Sequence, residues 1–227
     1  MKKVYVIGDS ISIQYGPYLE RALQDSMAYG RKEGDEEAQL NLDNPQGANG
    51  GDSGMVLAFL QAKAQSGGID ADLLLLNCGL HDIKTDPVTS QKQVPIEQYQ
   101  ANLRAIVELV AGRQLTLVWV RTTPCDENVH NHPGMSFHRF AADATAYNQA
   151  AAAIMAAAGV AIIDLHTFTL ALGPDLYCDH VHFHEQVRAQ QAAFIAGWLA
   201  GWPAGQRITR TNPTLKTRCQ FSPTPAI

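Results

Sequence analysis

Val4-Tyr5-Val6-Ile7-Gly8-Asp9-Ser10 runs four apolar residues straight into a glycine, an acid and a serine. An apolar run bounded by turn residues reads as a buried parallel strand. Tyr15, Tyr18, Leu19, Ala22 and Leu23 then recur at helical spacing. Ser10 therefore stands between a strand and a helix, at the C-terminal edge of a sheet, where open α/β folds bind ligands. Backbone N–H groups at a helix start favour developing negative charge, which suits a nucleophile attacking a carbonyl. A bare Gly-Asp-Ser is also an ordinary capped turn, so the rest of the chain has to decide between the two.

Outward from this stretch, strands and helices alternate. Ala38 to Leu42 is expected as a short second strand, following a charged loop over residues 31–37. Asn49-Gly50-Gly51-Asp52-Ser53-Gly54 crowds glycines ahead of a helical pattern over 55–64, as a loop needing unusual φ or close backbone approach does. Asp72 to Cys78 is the clearest buried strand, with Gly79-Leu80-His81-Asp82 directly after it. A helix is expected from Ile96 to about Gly112, with Tyr99, Leu103, Ile106 and Val110 on its core face. Residues 114–121 form a fourth strand that empties into a long loop holding His130 and His132. An alanine-rich helix capped by Ser136 runs from there to Ala158. Residues 160–165 make a fifth strand, and a last helix spans roughly Glu185 to Leu199. Arg139, Asp143, Tyr147 and Asn148 are expected on the solvated face of the alanine-rich helix. The alternation implies a mostly parallel five-stranded sheet covered on both sides by helices. One domain over residues 1–202 and a polar, Pro/Thr-rich tail over 203–227 are expected.

Composition limits the functions available. The 227 residues are 46% hydrophobic and 17% charged, as in a globular protein. A net charge of −5 gives no basic surface for nucleic acid or an anionic membrane. Neither a secretory signal pattern nor a membrane-length apolar run is present, so a cytoplasmic location is expected. Cys78, Cys125, Cys178 and Cys219 are scattered singly and fit neither a zinc site nor a disulfide framework, so they read as small buried hydrophobes.

In a parallel sheet the loops that follow each strand meet at one edge. Ser10, the Gly50-Gly51 loop, His81-Asp82, the His130–His132 loop and Asp179 with His182 should converge there. A serine hydroxyl needs a base, and an imidazole oriented by a carboxylate supplies one. Asp179 and His182, three residues apart, can be presented by a single turn.

On these residues the sequence resembles the SGNH/GDSL hydrolases, serine esterases and lipases with a flavodoxin-like three-layer α/β/α fold. Gly8-Asp9-Ser10-Ile11 matches the first family block, Asn49-Gly50-Gly51-Asp52-Ser53 the second, and Asp179-His180-Val181-His182 the last. The resemblance spans Val4 to about Leu199. It implies Ser10 as nucleophile, His182 as base and Asp179 as orienter. The N–H groups of Ser10 and Gly51 would be oxyanion donors, with Gly50 the alternative to Gly51. The third block departs from the family: Gly79-Leu80-His81-Asp82 stands where Gly-x-Asn-Asp is usual. His81 would then supply the donor that asparagine's amide normally gives. Asp82 is left as a loop-bracing acid. No cofactor or metal is implied. The expected substrate is a small-molecule or carbohydrate ester with a short acyl group, and no oligomeric state can be assigned.

Two rival readings are weighed against this one. His180, His182 and His184 alternate, so an extended segment could gather imidazoles for a metal-assisted hydrolase. A non-catalytic carbohydrate- or acyl-binding module would keep the pocket without turnover.

Overall fold

A computed structural model describes residues 1–113 and 115–202. The tail expected over 203–227, Cys219 included, lies outside the described residues. Five strands, β1 (Lys2–Ile7), β2 (Met27–Arg31), β3 (Leu73–Leu76), β4 (Thr116–Val120) and β5 (Ala161–Ile163), form one sheet. Its order is β2-β1-β3-β4-β5 and every pairing is parallel. Helices α1 (Ser10–Leu23) and α8 (Glu185–Ala200) pack together in one layer. Helices α3 (Ser53–Gln65), α4 (Ile96–Ala111) and α6 (Ala141–Ala157) pack in sequence in the other. The shorter helices are α2 (Asp35–Leu40), α5 (Glu127–His130) and α7 (Leu165–Leu170). This is the three-layer α/β/α sandwich that the alternation predicts.

The central strands are apolar on both faces because helices cover both. Leu73, Leu74, Leu75 and Leu76 are all buried, as are Val4, Val6 and Ile7 of β1 and Leu117 to Val120 of β4. The core stripe of α4 (Tyr99, Leu103, Ile106, Val110) falls where its spacing puts it.

The second strand is not where apolar content suggested. Residues 35–40 are α2, and the strand is Met27–Arg31. Asp35, Glu36 and Glu37 sit in the first turn of α2, where acids favour the helix N-terminus. Strand β2 is an edge strand whose residues are mostly half-buried, so it carries no apolar run to announce it.

A second difference concerns α6. It begins at Ala141, not after Ser136, and Glu127 accepts its first N–H at 3.0 Å. Arg139, Tyr147 and Asn148 are buried, not solvated. The Asn148 carboxamide clamps Thr122, accepting its N–H at 2.9 Å and donating to its carbonyl at 2.8 Å. Tyr147 donates to the Val94 carbonyl and Tyr99 to that of Cys78. Asn148 and Tyr99 thus satisfy the backbone where β4 and β3 give way to loops, and Tyr147 does so just before α4. Asp143 stays near the surface, paired with Lys92 at 2.7 Å.

Candidate active site

The sheet delivers its loops to one edge as expected. Asp9 caps α1, its carboxylate accepting the Ile11 N–H at 3.0 Å, which leaves Ser10 as the first residue of the helix. The N–H groups of a helix's first turn have no partner within the helix, and that of Ser10 makes no hydrogen bond among the described residues. A Cβ added at Gly8 would lie 2.7 Å from that of Ser12, so only glycine fits this strand-to-helix corner.

From the far end of the chain, Asp179 closes a turn by accepting the N–H groups of Val181 and His182 at 2.8 and 2.7 Å. Its other oxygen lies 2.8 Å from His182 Nδ1. A carboxylate can only accept, so Nδ1 carries the proton and Nε2 is left with a lone pair. Nε2 lies 2.9 Å from Ser10 Oγ. Burial alone would raise the pKa of Asp179. Its hydrogen bonds from Val181 and His182, and the His182 ring beside it, outweigh burial and hold it below the usual carboxylate value.

The glycine-rich loop is fastened to β1 by the Gly8–Asn49 bridge, and Gly50 N–H donates to the Gly8 carbonyl at 2.8 Å. Gly51 takes φ +70°. Its N–H is not open: it donates to the Asn49 side-chain oxygen at 3.0 Å. Both candidate glycine donors are thus engaged, Gly50 by a backbone carbonyl that anchors the loop and Gly51 by a local side chain.

His81 is buried, and its Nδ1 is enclosed without a partner. Burial pushes its pKa well below the ordinary histidine value, and the charges of Lys84 and Arg139 act in the same direction. A neutral ring offers one N–H. Asp82 is fully buried and accepts both the N–H and the hydroxyl of Ser53. Asn102 in turn donates to Ser53 Oγ at 2.9 Å. Burial raises Asp82 to about 7, with the Ser53 bonds opposing. Asp82 is thus tied to the first turn of α3, away from the His182 ring.

Asp179, His180 and His182 form the one cluster of potential metal-ligating groups among the described residues, their ligand atoms within 4.8 Å of one another. His184 is not part of it and faces Asp175 at 3.4 Å. Both ring nitrogens of His182 already have partners, so a metal there would have to displace Ser10 or Asp179. Cys78 and Cys125 are buried free thiols, and Cys178 is an exposed one. His130 sits at the site, with its ring centroid 4.9 Å from that of His180. The ring of His132 contacts only the neighbouring Pro133 carbonyl among the described residues, and the residue is exposed.

The sequence did not announce Asp43, which lies 3.1 Å from His180 Nε2 across 137 positions. That bond holds Asp43 down to about 2 despite its burial.

The family model for GDSL-like lipases and acylhydrolases matches residues 6–189. The chain belongs to that family. Solved structures with the same fold include a lipase/acylhydrolase from Enterococcus faecalis, with TM-score 0.65 and 16% identity over 88% of this chain and 96% of that one. A G-D-S-L family lipolytic protein from Veillonella parvula gives TM-score 0.62 at 15% identity, covering 88% and 99%. The psychrotrophic esterase EstA from Pseudoalteromonas gives 0.59 at 15%, covering 88% and 100%. No match is found among curated proteins. Among the described residues, no helix is long and apolar enough to cross a membrane.

Proposed function

We propose that this GDSL-family protein hydrolyses carboxylic esters through an acyl-enzyme. One observation carries the reading: Ser10 Oγ, His182 and Asp179 are joined in line by contacts of 2.9 and 2.8 Å. Ser10 Oγ attacks the ester carbonyl and His182 Nε2 takes its proton. Asp179 keeps the ring in the tautomer that can accept it and stabilises the imidazolium that results. The oxyanion forms against the Ser10 N–H, with the His81 ring as a second donor. Gly51 N–H joins them once the Asn49 side chain yields it. The tetrahedral species then collapses, and His182 protonates the departing alcohol. Water repeats the cycle on the acyl group. An imidazole in place of a carboxamide keeps a donor at the third oxyanion position and needs no net charge to do so.

Substrates with short acyl groups, among them acetylated carbohydrates, are the proposed class, and the setting proposed is the cytoplasm. The test is hydrolysis of p-nitrophenyl acetate with and without a chelator. Turnover that survives chelation and disappears in Ser10→Ala supports the serine route. Turnover that chelation abolishes favours the metal reading. No turnover at any pH favours a binding module.

A further inference from the structure

Arg139 is a buried cation without a carboxylate partner among the described residues. Only 2% of it is exposed. Its backbone is fixed from both sides by Asn131, which accepts its N–H and donates to its carbonyl, each at 2.9 Å. Nε donates to the Leu80 carbonyl and Nη1 to His130 Nε2, both at 2.8 Å. Neither acceptor is charged: burial and the nearby Arg139 charge hold His130 down to about 4. Nη2 makes no hydrogen bond among the described residues, and it is not among the fully enclosed orphan atoms.

Lys84, half-buried, is a second cation without a carboxylate partner among the described residues. Its Nζ lies 4.3 Å from the Phe137 ring centroid, and the Arg139 guanidinium lies 4.9 Å from the same one. Among the described residues Lys84 Nζ donates to one oxygen, the Asp43 backbone carbonyl, at 3.2 Å. Neither cation has a salt bridge among the described residues. Asp43 is a nearby countercharge, but its side chain is held by His180.

Leaving a charge buried and unpaired is strongly destabilising, so a cation like Arg139 persists where something else pairs with it. Both cations lie close enough to His81 to bear on its charge. Arg139 holds the carbonyl of the residue before His81, and through His130 it adjoins His180, whose ring is 5.9 Å from that of His182. The acids that bear on the two cations, Asp43, Asp9, Asp179 and Asp52, make no salt bridge to either among the described residues. A guanidinium with its Nη2 unengaged and an ammonium, both against the Phe137 ring, are groups that recognise a small oxyanion.

We propose that the ester cleaved at Ser10 bears an anionic oxygen group, a carboxylate or a phosphate, seated against Arg139 and Lys84. This rests on the hydrolase reading above and narrows its substrate class. The competing role, in which Arg139 only braces the His130 loop and the Leu80 carbonyl, affects neutral and charged esters alike.

Binding and turnover separate these cases. Isothermal titration of the Ser10→Ala protein uses monomethyl succinate, monomethyl phosphate and uncharged dimethyl succinate. At least one monoanion should bind about tenfold or more tighter than the diester, as charge-assisted hydrogen bonds produce. Carboxylate and phosphate sources are told apart by which one binds. Adding Lys84→Met or Arg139→Gln should remove most of that preference. Equal binding of anion and diester, or a preference that survives in folded Lys84→Met protein, overturns the proposal. In the active protein, kcat/KM for mono-p-nitrophenyl succinate should exceed that for its methyl ester, with a ratio that falls in Lys84→Met. If both esters turn over equally, the anion seat fails and the hydrolase reading stands. If neither turns over but the monoanion still binds, the hydrolase reading fails and the seat stands.

Discussion

Ser10 Oγ and His182 Nε2 lie 2.9 Å apart although 172 positions separate them in the chain. Two helix starts bring them together: Ser10 opens α1, and His182 lies just before α8, which packs against α1. The contact is thus a consequence of two helices sharing one layer of the sandwich. Neither residue needs a long or flexible reach.

Replacing the nucleophile tests the first half of that contact. Ser10→Ala should lower kcat by about 10⁴-fold or more, as loss of a triad nucleophile does. Among the described residues Ser10 donates no hydrogen bond other than its contact with His182, so the melting temperature should hardly move. Steady-state hydrolysis of p-nitrophenyl acetate beside a thermal melt checks both.

Asp179 has two duties, fastening its own turn and holding the His182 tautomer. Asp179→Asn keeps an oxygen for the Val181 and His182 N–H groups but loses an obligate acceptor for Nδ1. A fall in kcat approaching 10⁴-fold with the fold preserved is expected. Kinetics paired with circular dichroism would expose a purely structural role, in which folding and activity fall together.

In the proposed mechanism His81 stabilises charge only in the transition state. His81→Ala should therefore cost about 10²–10³ in kcat with little change in KM. His81→Asn, which restores an amide N–H, should recover a large part of that loss. An alanine variant as fast as the parent would remove His81 from the chemistry.

Gly51 combines φ +70° with crowding by Met55 and Pro45, whose atoms would lie 2.5 and 2.9 Å from an added Cβ. Gly51→Ala should destabilise the protein by about 1–3 kcal/mol and lower kcat, since the loop presenting its N–H must shift. Chemical denaturation and initial rates report the two effects separately.

Burial holds His130 neutral down to about 4 in the folded protein, whereas an unfolded chain protonates it near 6.5. A depressed histidine pKa means the unfolded state binds the extra proton first. The His130 contribution to stability is therefore whole above about 6.5 and is lost as pH falls towards 4. His130→Gln should flatten the acid side of the stability profile. NMR titration of the His130 ring should show no protonation between pH 8 and 5.

Much of this was legible before any coordinates. Buried strands declare themselves when both faces are covered, so β1, β3 and β4 stand out as apolar runs. Asp179 and His182 are legible because a three-residue spacing is a local property. Strand β2 is illegible for the opposite reason: as a half-buried edge it needs no apolar run, and the acids of α2 outweigh the apolar residues near it. Arg139 and Asp43 are illegible because burial of a charge depends on contacts with Leu80, His130 and His180 from distant parts of the chain. Periodicity carries no record of such contacts. The bond from Gly51 to Asn49 is local, yet glycine content alone says only that φ is unusual, not where the N–H points.

The most direct test of the central claim is covalent. A p-nitrophenyl phosphonate ester should modify the protein with one equivalent of adduct, release one equivalent of nitrophenol and stop ester hydrolysis in proportion. Mass mapping should place the adduct on the peptide containing Ser10, and His182→Ala should slow the labelling by orders of magnitude. An adduct on another residue with activity abolished, or full hydrolysis by a protein phosphonylated at Ser10, would contradict the account.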